Sequence, residues 1–175
     1  MTDHKTFHTW RESMNSTISY ITGDATLPQS QEKTIIVHIC NDIGVFGAGF
    51  VVAIGKRYPI AKTSYLGWAK AGNLGGVKFE LGEVQFVKIN DTLWVANMIA
   101  QKGIGFRNGP PIRYEALDAA LEKVANFAKN EKALVMGPRF GSGLAGGNWE
   151  VIEAMIIKKL CKQNIPVIIC DLAEN

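Results

Sequence analysis

Gly137-Pro138-Arg139-Phe140-Gly141-Ser142-Gly143-Leu144-Ala145-Gly146-Gly147 separates a short apolar run, Ala133–Met136, from an amphipathic stretch, Asn148–Lys162. The run has the length and composition of a buried strand. The stretch that follows has helical spacing, with Asn148 as its N-cap and Glu150 in the first turn. The whole reads as strand, glycine loop, helix. A second unit of the same kind stands earlier. Thr34–Cys40 (TIIVHIC) is a continuous β-branched strand. Cys40-Asn41-Asp42-Ile43-Gly44-Val45-Phe46-Gly47-Ala48-Gly49 then leads into a helix over Gly49 to Tyr58, stopped by Pro59. Glycine lets the backbone approach a ligand and frees its N–H groups to point inward, which suits a diphosphate. One such loop can simply be a turn. Two at equivalent places in one sheet would grip a diphosphate between them.

Neither loop is a Walker A, because no Gly-Lys-Ser/Thr follows, and neither gives G-x-G-x-x-G at the first strand. An ordinary dinucleotide fold is therefore disfavoured.

Outward from these loops the pattern keeps alternating. Ile18–Thr22 reads as a strand. Ile60–Ala71 reads as a helix ended by Gly72. Gly82–Lys88 and Thr92–Ala100 are two strands around an Asn90-Asp91 turn. Ile112–Lys129 repeats apolar residues at Leu117, Leu121, Val124 and Phe127, a helix announced by Pro110 and Pro111. Pro166–Cys170 is a last strand. The alternation predicts an α/β fold, a mixed and mostly parallel sheet with helices on both faces. Ligands of such sheets bind at the C-terminal ends of the strands.

The 175 residues are enough for one domain with its own core, and 47% hydrophobic with 20% charged residues describes a soluble globular chain. Residues 1–16 read as an N-terminal extension, with Phe7, Trp10 and Met14 at helical spacing, and 17–175 as the domain. No apolar run approaches the ~20 residues of a membrane span. The polar N-terminus lacks a secretory core, so a cytoplasmic location is expected. Cys40, Cys161 and Cys170 have no C-x-x-C spacing and suit a reducing compartment. His4, His8 and His38 lack the partners of a metal site, so no metal or cofactor is expected. The net charge of +3 is dispersed, which does not indicate a nucleic-acid groove.

Several motifs together resemble the macrodomain family. They are Gly23-Asp24-Ala25, His38-Ile39-Cys40-Asn41, Gly47-Ala48-Gly49 and Pro138 through Trp149, in the family's order. The resemblance runs from about Ile18 to Leu172. It is nearest the branch with ADP-ribose 1″-phosphate phosphatases and hydrolases of ADP-ribosyl-glutamate esters.

It implies a three-layer α/β/α macrodomain that binds ADP-ribose or an ADP-ribosylated substrate. Asp24 and the Ala25 backbone would meet the adenine, with Leu172 over it. Asn41 would bond the distal ribose. Gly47, Ala48 and Gly49 would approach that ribose and the diphosphate, and Gly141, Ser142, Gly143, Leu144, Ala145 and Gly146 would wrap the diphosphate. Gln101 would bond the ligand or brace the loops.

Ester-hydrolase relatives use a strand lysine and a loop aspartate. Gln101 and Ala145 occupy those positions here, with Lys102 one residue off and facing the other side. That puts the covalent lysine route in doubt. The catalytic candidates left are His38, which would orient water or protonate a leaving group, and Asp42 at the cleft edge as acid or base. His38 as a core histidine and Asp42 as a solvated loop carboxylate are the competing readings. The functional alternatives are a hydrolase, an ADP-ribose reader without turnover, and a nucleotide or single-stranded nucleic-acid binder.

Overall fold

A computed structural model describes residues 17–173. The extension over 1–16 lies outside the described residues. Among the described residues, eight strands and four α-helices follow in the order β1 (Ile18–Thr22), β2 (Thr34–Asn41), α1 (Phe50–Arg57), α2 (Pro59–Ala71), β3 (Asn73–Leu74), β4 (Val77–Lys78), β5 (Val84–Asn90), β6 (Leu93–Gln101), α3 (Tyr114–Glu131), β7 (Leu134–Gly137), α4 (Trp149–Lys159) and β8 (Val167–Asp171). The small β3–β4 hairpin is an addition that the sequence pattern did not announce.

The main sheet has the order β1-β8-β7-β2-β6-β5. Every pairing is parallel except β5–β6, the antiparallel hairpin around Asn90-Asp91. β2 sits at the centre, and alternation along it sorts the core into two layers. Ile35 and Val37 pack with Leu117, Leu121 and Ile152 of α3 and α4. Ile36 and Cys40 pack with Ile54, Tyr65 and Trp68 of α1 and α2. Each fully buried Leu or Ile contributes ~1.5–3 kcal/mol of transfer free energy. β2 is buried on both faces, which explains why its sequence is a mostly apolar run rather than an alternating one.

Local signals set the ends. Gly72 closes α2 in the left-handed conformation at φ 76°, as a C-cap glycine does. Asn148 caps α4 by accepting from the Glu150 amide at 2.9 Å. The mixed sheet with two helices on each face is the three-layer architecture expected.

At the tip of β7, a Cβ on Gly137 would stand 2.7 Å from the Val37 carbonyl oxygen of β2. Backbone cannot yield there, so Gly137→Ala should cost about 1–3 kcal/mol in urea unfolding. Gly143→Ala, with nothing within 4 Å of its added Cβ, should leave the midpoint nearly unchanged.

Candidate functional site

β8, β7, β2 and β6 end side by side, and the two glycine loops rise from the middle pair. They enclose a cleft of about 640 Å³, floored by His38, Ile39 and Gln101 and walled by Ala48, Gly49, Gly141 and Leu144. Leu172, 80% exposed, marks its β8 end. The loops touch. Gly49 has φ 80°, and a Cβ there would lie 2.9 Å from Leu144 Cδ1. The second loop is folded tightly on itself, with the Gly147 amide donating to the Gly141 carbonyl at 2.7 Å.

This geometry leaves donors free. Among the described residues, the amides of Ala48, Gly49, Phe50 and Val51 take no acceptor, nor do those of Gly143, Leu144 and Ala145. α1 has no side-chain cap at its N-terminus, so its positive end faces the cleft unanswered. α4 differs, because Asn148 already fills its first turn. The second wall therefore offers loop amides rather than a helix end.

The other expected residues separate into cleft and scaffold. Gln101 lines the cleft and braces a neighbouring loop, donating through Nε2 to the Gly103 carbonyl at 3.0 Å. Asn41 does not line the cleft, and its side chain is engaged within the first loop. Its Oδ1 accepts from Ile43 N, Val45 N and Tyr65 Oη, and its Nδ2 donates to Val45 O at 2.7 Å. It pins the first loop. Asp42 is not beside His38. Its Oδ1 accepts from the Gly103 amide at 2.8 Å, and it faces an adjoining groove.

Asp24 closes its own turn, with Oδ1 accepting from Thr26 N at 2.8 Å and Thr26 Oγ1 at 2.7 Å. Those bonds, aided by Arg57, hold its carboxyl below the usual range. Only Oδ2 is left to meet an adenine. Ala25 is buried in the α1–α2 core. Gly47 adjoins the cleft wall without lining it. Ser142 turns back to donate to the Arg139 carbonyl at 2.7 Å. Gly146 is covered by the Phe106 ring. Ala145 lines the cleft with its methyl group, and Lys102 lies in the adjoining groove. The strand-lysine and loop-aspartate pair is therefore absent from this cleft.

His38 sits among rings, edge-on to Phe46 and Phe50, and is 1% exposed. Its Nε2 lies 2.5 Å from Asn97 Oδ1. Asn97 is oriented by its amide, which donates to Ala61 O at 3.2 Å and Gln85 Oε1 at 3.1 Å. Gln85 in turn donates to Ser64 O at 2.9 Å. Read along this line, Nε2 carries the hydrogen and Nδ1 holds a bare lone pair. Nδ1 has no partner among the described residues. Burial presses the imidazole down to about pKa 4. A neutral ring accepts a hydrogen bond or orients water, so the acid role expected for His38 is lost near neutral pH while the acceptor role remains. Asn97 and Gln85, whose signal was only a polar residue inside an apolar strand, had not been anticipated.

No group of His, Cys, Asp and Glu among the described residues is arranged to hold a metal ion. A second groove of about 750 Å³ lies between α3 and α4, away from the strand tips.

No family model matches the chain. A macrodomain protein from Streptomyces coelicolor has a solved structure that superimposes with a TM-score of 0.77 at 43% identity, covering 88% of this chain and 98% of that one. The chain belongs to the macrodomain family. A Bacteroides thetaiotaomicron protein of unknown function gives a TM-score of 0.84 at 45% identity, covering 89% of this macrodomain and 98% of that chain. Among curated proteins, the chromodomain-helicase-DNA-binding protein 1-like of Danio rerio is 33% identical over 172 residues. The alignment covers 93% of this chain but only 16% of that protein. An ADP-ribose 1″-phosphate phosphatase of Meyerozyma guilliermondii is 27% identical, over 87% of this chain and 99% of its own length.

The buried imidazole makes stability depend on acid. The unfolded chain takes up a proton at His38 near pH 6.5, the folded one only near pH 4. Stability conferred by the neutral ring is therefore complete above pH 6.5 and lost as pH falls to about 4, a difference of about 3 kcal/mol. Urea unfolding at the two pH values should show that loss in the wild type and a much smaller one in His38→Gln. Asp24 and Asp171, whose carboxyls are held below their ordinary 3.8, add their own losses mainly below this window.

Proposed function

We propose that this macrodomain binds ADP-ribose along the strand tips, with the adenine toward Leu172 and the diphosphate between the two glycine loops. One observation carries the reading: two loops in contact, with seven backbone amides free of acceptors among the described residues and a helix start without a side-chain cap between them. A diphosphate is the ligand that answers converging donors without needing a side-chain cation. The name of the Meyerozyma guilliermondii relative supports the same ligand. Three buried, unpaired cysteines suit a reducing compartment, and we place the protein in the cytoplasm.

A hydrolytic reading has its own support in His38. His38 lines the cleft, and its unpartnered Nδ1, once reached by water, would accept a proton from that water as it attacks a phosphoryl group on the distal ribose. The ribose oxygen would leave with its proton taken from solvent. Such activity would rise through about pH 4 and stay level above it, since only the neutral ring has the lone pair.

Titration calorimetry with ADP-ribose, ADP, AMP and an oligonucleotide tests the binding. ADP-ribose should bind tightest, and Gly49→Val, which forces a side chain into Leu144, should weaken it at least about tenfold. Tighter, steeply salt-dependent oligonucleotide binding would favour the nucleic-acid alternative. Phosphate release from ADP-ribose 1″-phosphate tests the chemistry. Release that His38→Gln abolishes supports the hydrolase, whereas no release by the wild type leaves a reader.

A further inference from the structure

Beyond Gln101 the cleft gives way to a second cavity of about 400 Å³, lined by Asp42, Lys102, Gly103, Arg107, Pro111 and Arg113 among others. The two cavities share a wall. Gln101 faces the cleft and Lys102 faces the groove, while the Asp42 amide donates to the Gln101 carbonyl at 3.0 Å. The Phe106 ring covers Gly146, which seats the groove's outer loop against the second glycine loop. The cleft runs from Leu172 past β7 and β2 to β6, so the groove continues it at the end opposite Leu172.

The charges in this groove are not neutralised from within. Three cations face one carboxylate, and Asp42 already spends one oxygen on the Gly103 amide. Among the described residues, the Lys102 and Arg107 side chains have neither an ion pair nor a hydrogen bond. Arg57 and Arg139, by contrast, are paired with Asp24 and Asp171. Arg113 is fixed in advance. Its Nη1 donates to the carbonyls of Pro110, Pro111 and Ile112 at 2.9, 3.1 and 2.9 Å, and its other nitrogens take no acceptor among the described residues. A guanidinium held this way offers its remaining N–H groups to an anion with little ordering cost.

We infer that this groove is a phosphoryl subsite, held by Lys102, Arg107 and Arg113, for a phosphate carried on or beside the distal ribose of a bound ADP-ribose. The inference rests on the cleft reading for the orientation of that ligand. Two sources share the chemistry: a terminal phosphomonoester on the ribose, and the phosphodiester of a nucleic acid to which ADP-ribose is attached. The ribose end is the reacting end in either case, so the groove would select substrates by what their ADP-ribose is joined to.

Calorimetry at low salt compares ADP-ribose, ADP-ribose 1″-phosphate and an ADP-ribosylated single-stranded oligonucleotide, with phosphate release followed in parallel. At least one phosphorylated ligand should bind about tenfold tighter than ADP-ribose, and the larger gain identifies the source. The advantage should shrink with added salt. Lys102→Gln with Arg107→Gln should erase it and leave ADP-ribose affinity within about twofold, because neither residue lines the cleft. Equal affinity for all three ligands, or an advantage that survives the double variant, overturns the subsite. Inorganic phosphate, followed through the amide signals of Lys102 and Arg107, tests the groove alone. If phosphate shifts those signals while ADP-ribose fails to bind, the cleft reading falls and the anion site stands. If it shifts neither signal, the anion site falls.

Discussion

The close approach of two bare backbones at the strand tips is the constraint on which this molecule turns. Gly49 cannot carry a side chain without entering Leu144, and Gly147 cannot carry one without entering the Gly141 carbonyl 2.5 Å away. The same absence of side chains keeps the loop amides pointing at open space instead of at a neighbouring acceptor. Parallel pairing supplies the other half of the arrangement. β8, β7, β2 and β6 all end on one side of the sheet, so loops distant in sequence become adjacent at a single edge. The scaffold beneath must be rigid for such donors to be useful. β2, buried on both faces between two helical layers, provides that rigidity.

Within that apolar scaffold one polar line is kept, from Ser64 through Gln85 and Asn97 to His38. A buried network of this kind is costly unless each member is satisfied. Every member is satisfied except the last, whose buried Nδ1 has no partner among the described residues. Tyr65 and Asn41 make a comparable arrangement nearby. The tyrosine hydroxyl lies 2.8 Å from both the carbonyl and the side-chain oxygen of Asn41, tying α2 to the first glycine loop. The loops are thus positioned from below by side-chain hydrogen bonds, and the donors facing the cleft come from the main chain.

This division explains which parts were legible in the sequence. Long-period patterns survive without structural context, so α3, β2 and the loop at Gly141 were readable from residue order alone, to within a residue or two at their ends. Asn148 was readable as a cap because capping is local. The two-residue strands around Gly75-Gly76 were not, since so short a ladder leaves no periodic trace. Side-chain roles were harder still. Asn41, Asp42 and Asp24 each stand where a ligand contact is plausible, yet each finds a backbone amide two to four residues away or across a loop. Short polar side chains compete for nearby main-chain donors, and sequence does not reveal which competitor wins. The reverse failure occurred with Asn97 and Gln85, whose partners lie on other elements.

The departures from the family's catalytic pair acquire a physical sense once the cations are located. Ala145 removes the loop carboxylate, and Gln101 removes a cation from the cleft floor. Among the described residues that line the cleft, the charged side chain is then Arg139, already paired with Asp171, and burial keeps the imidazole neutral. Positive charge is instead displaced one residue, to Lys102 just past the end of β6, which emerges on the far side of the Gln101 rung. It joins Arg107 and Arg113 in a groove where solvent keeps the desolvation cost low. A cleft that binds through backbone dipoles and a neighbouring groove that binds through full charges would act on different parts of one ligand. The first tolerates little variation in shape, because its donors are fixed. The second, carried on an exposed loop, responds chiefly to charge and to salt.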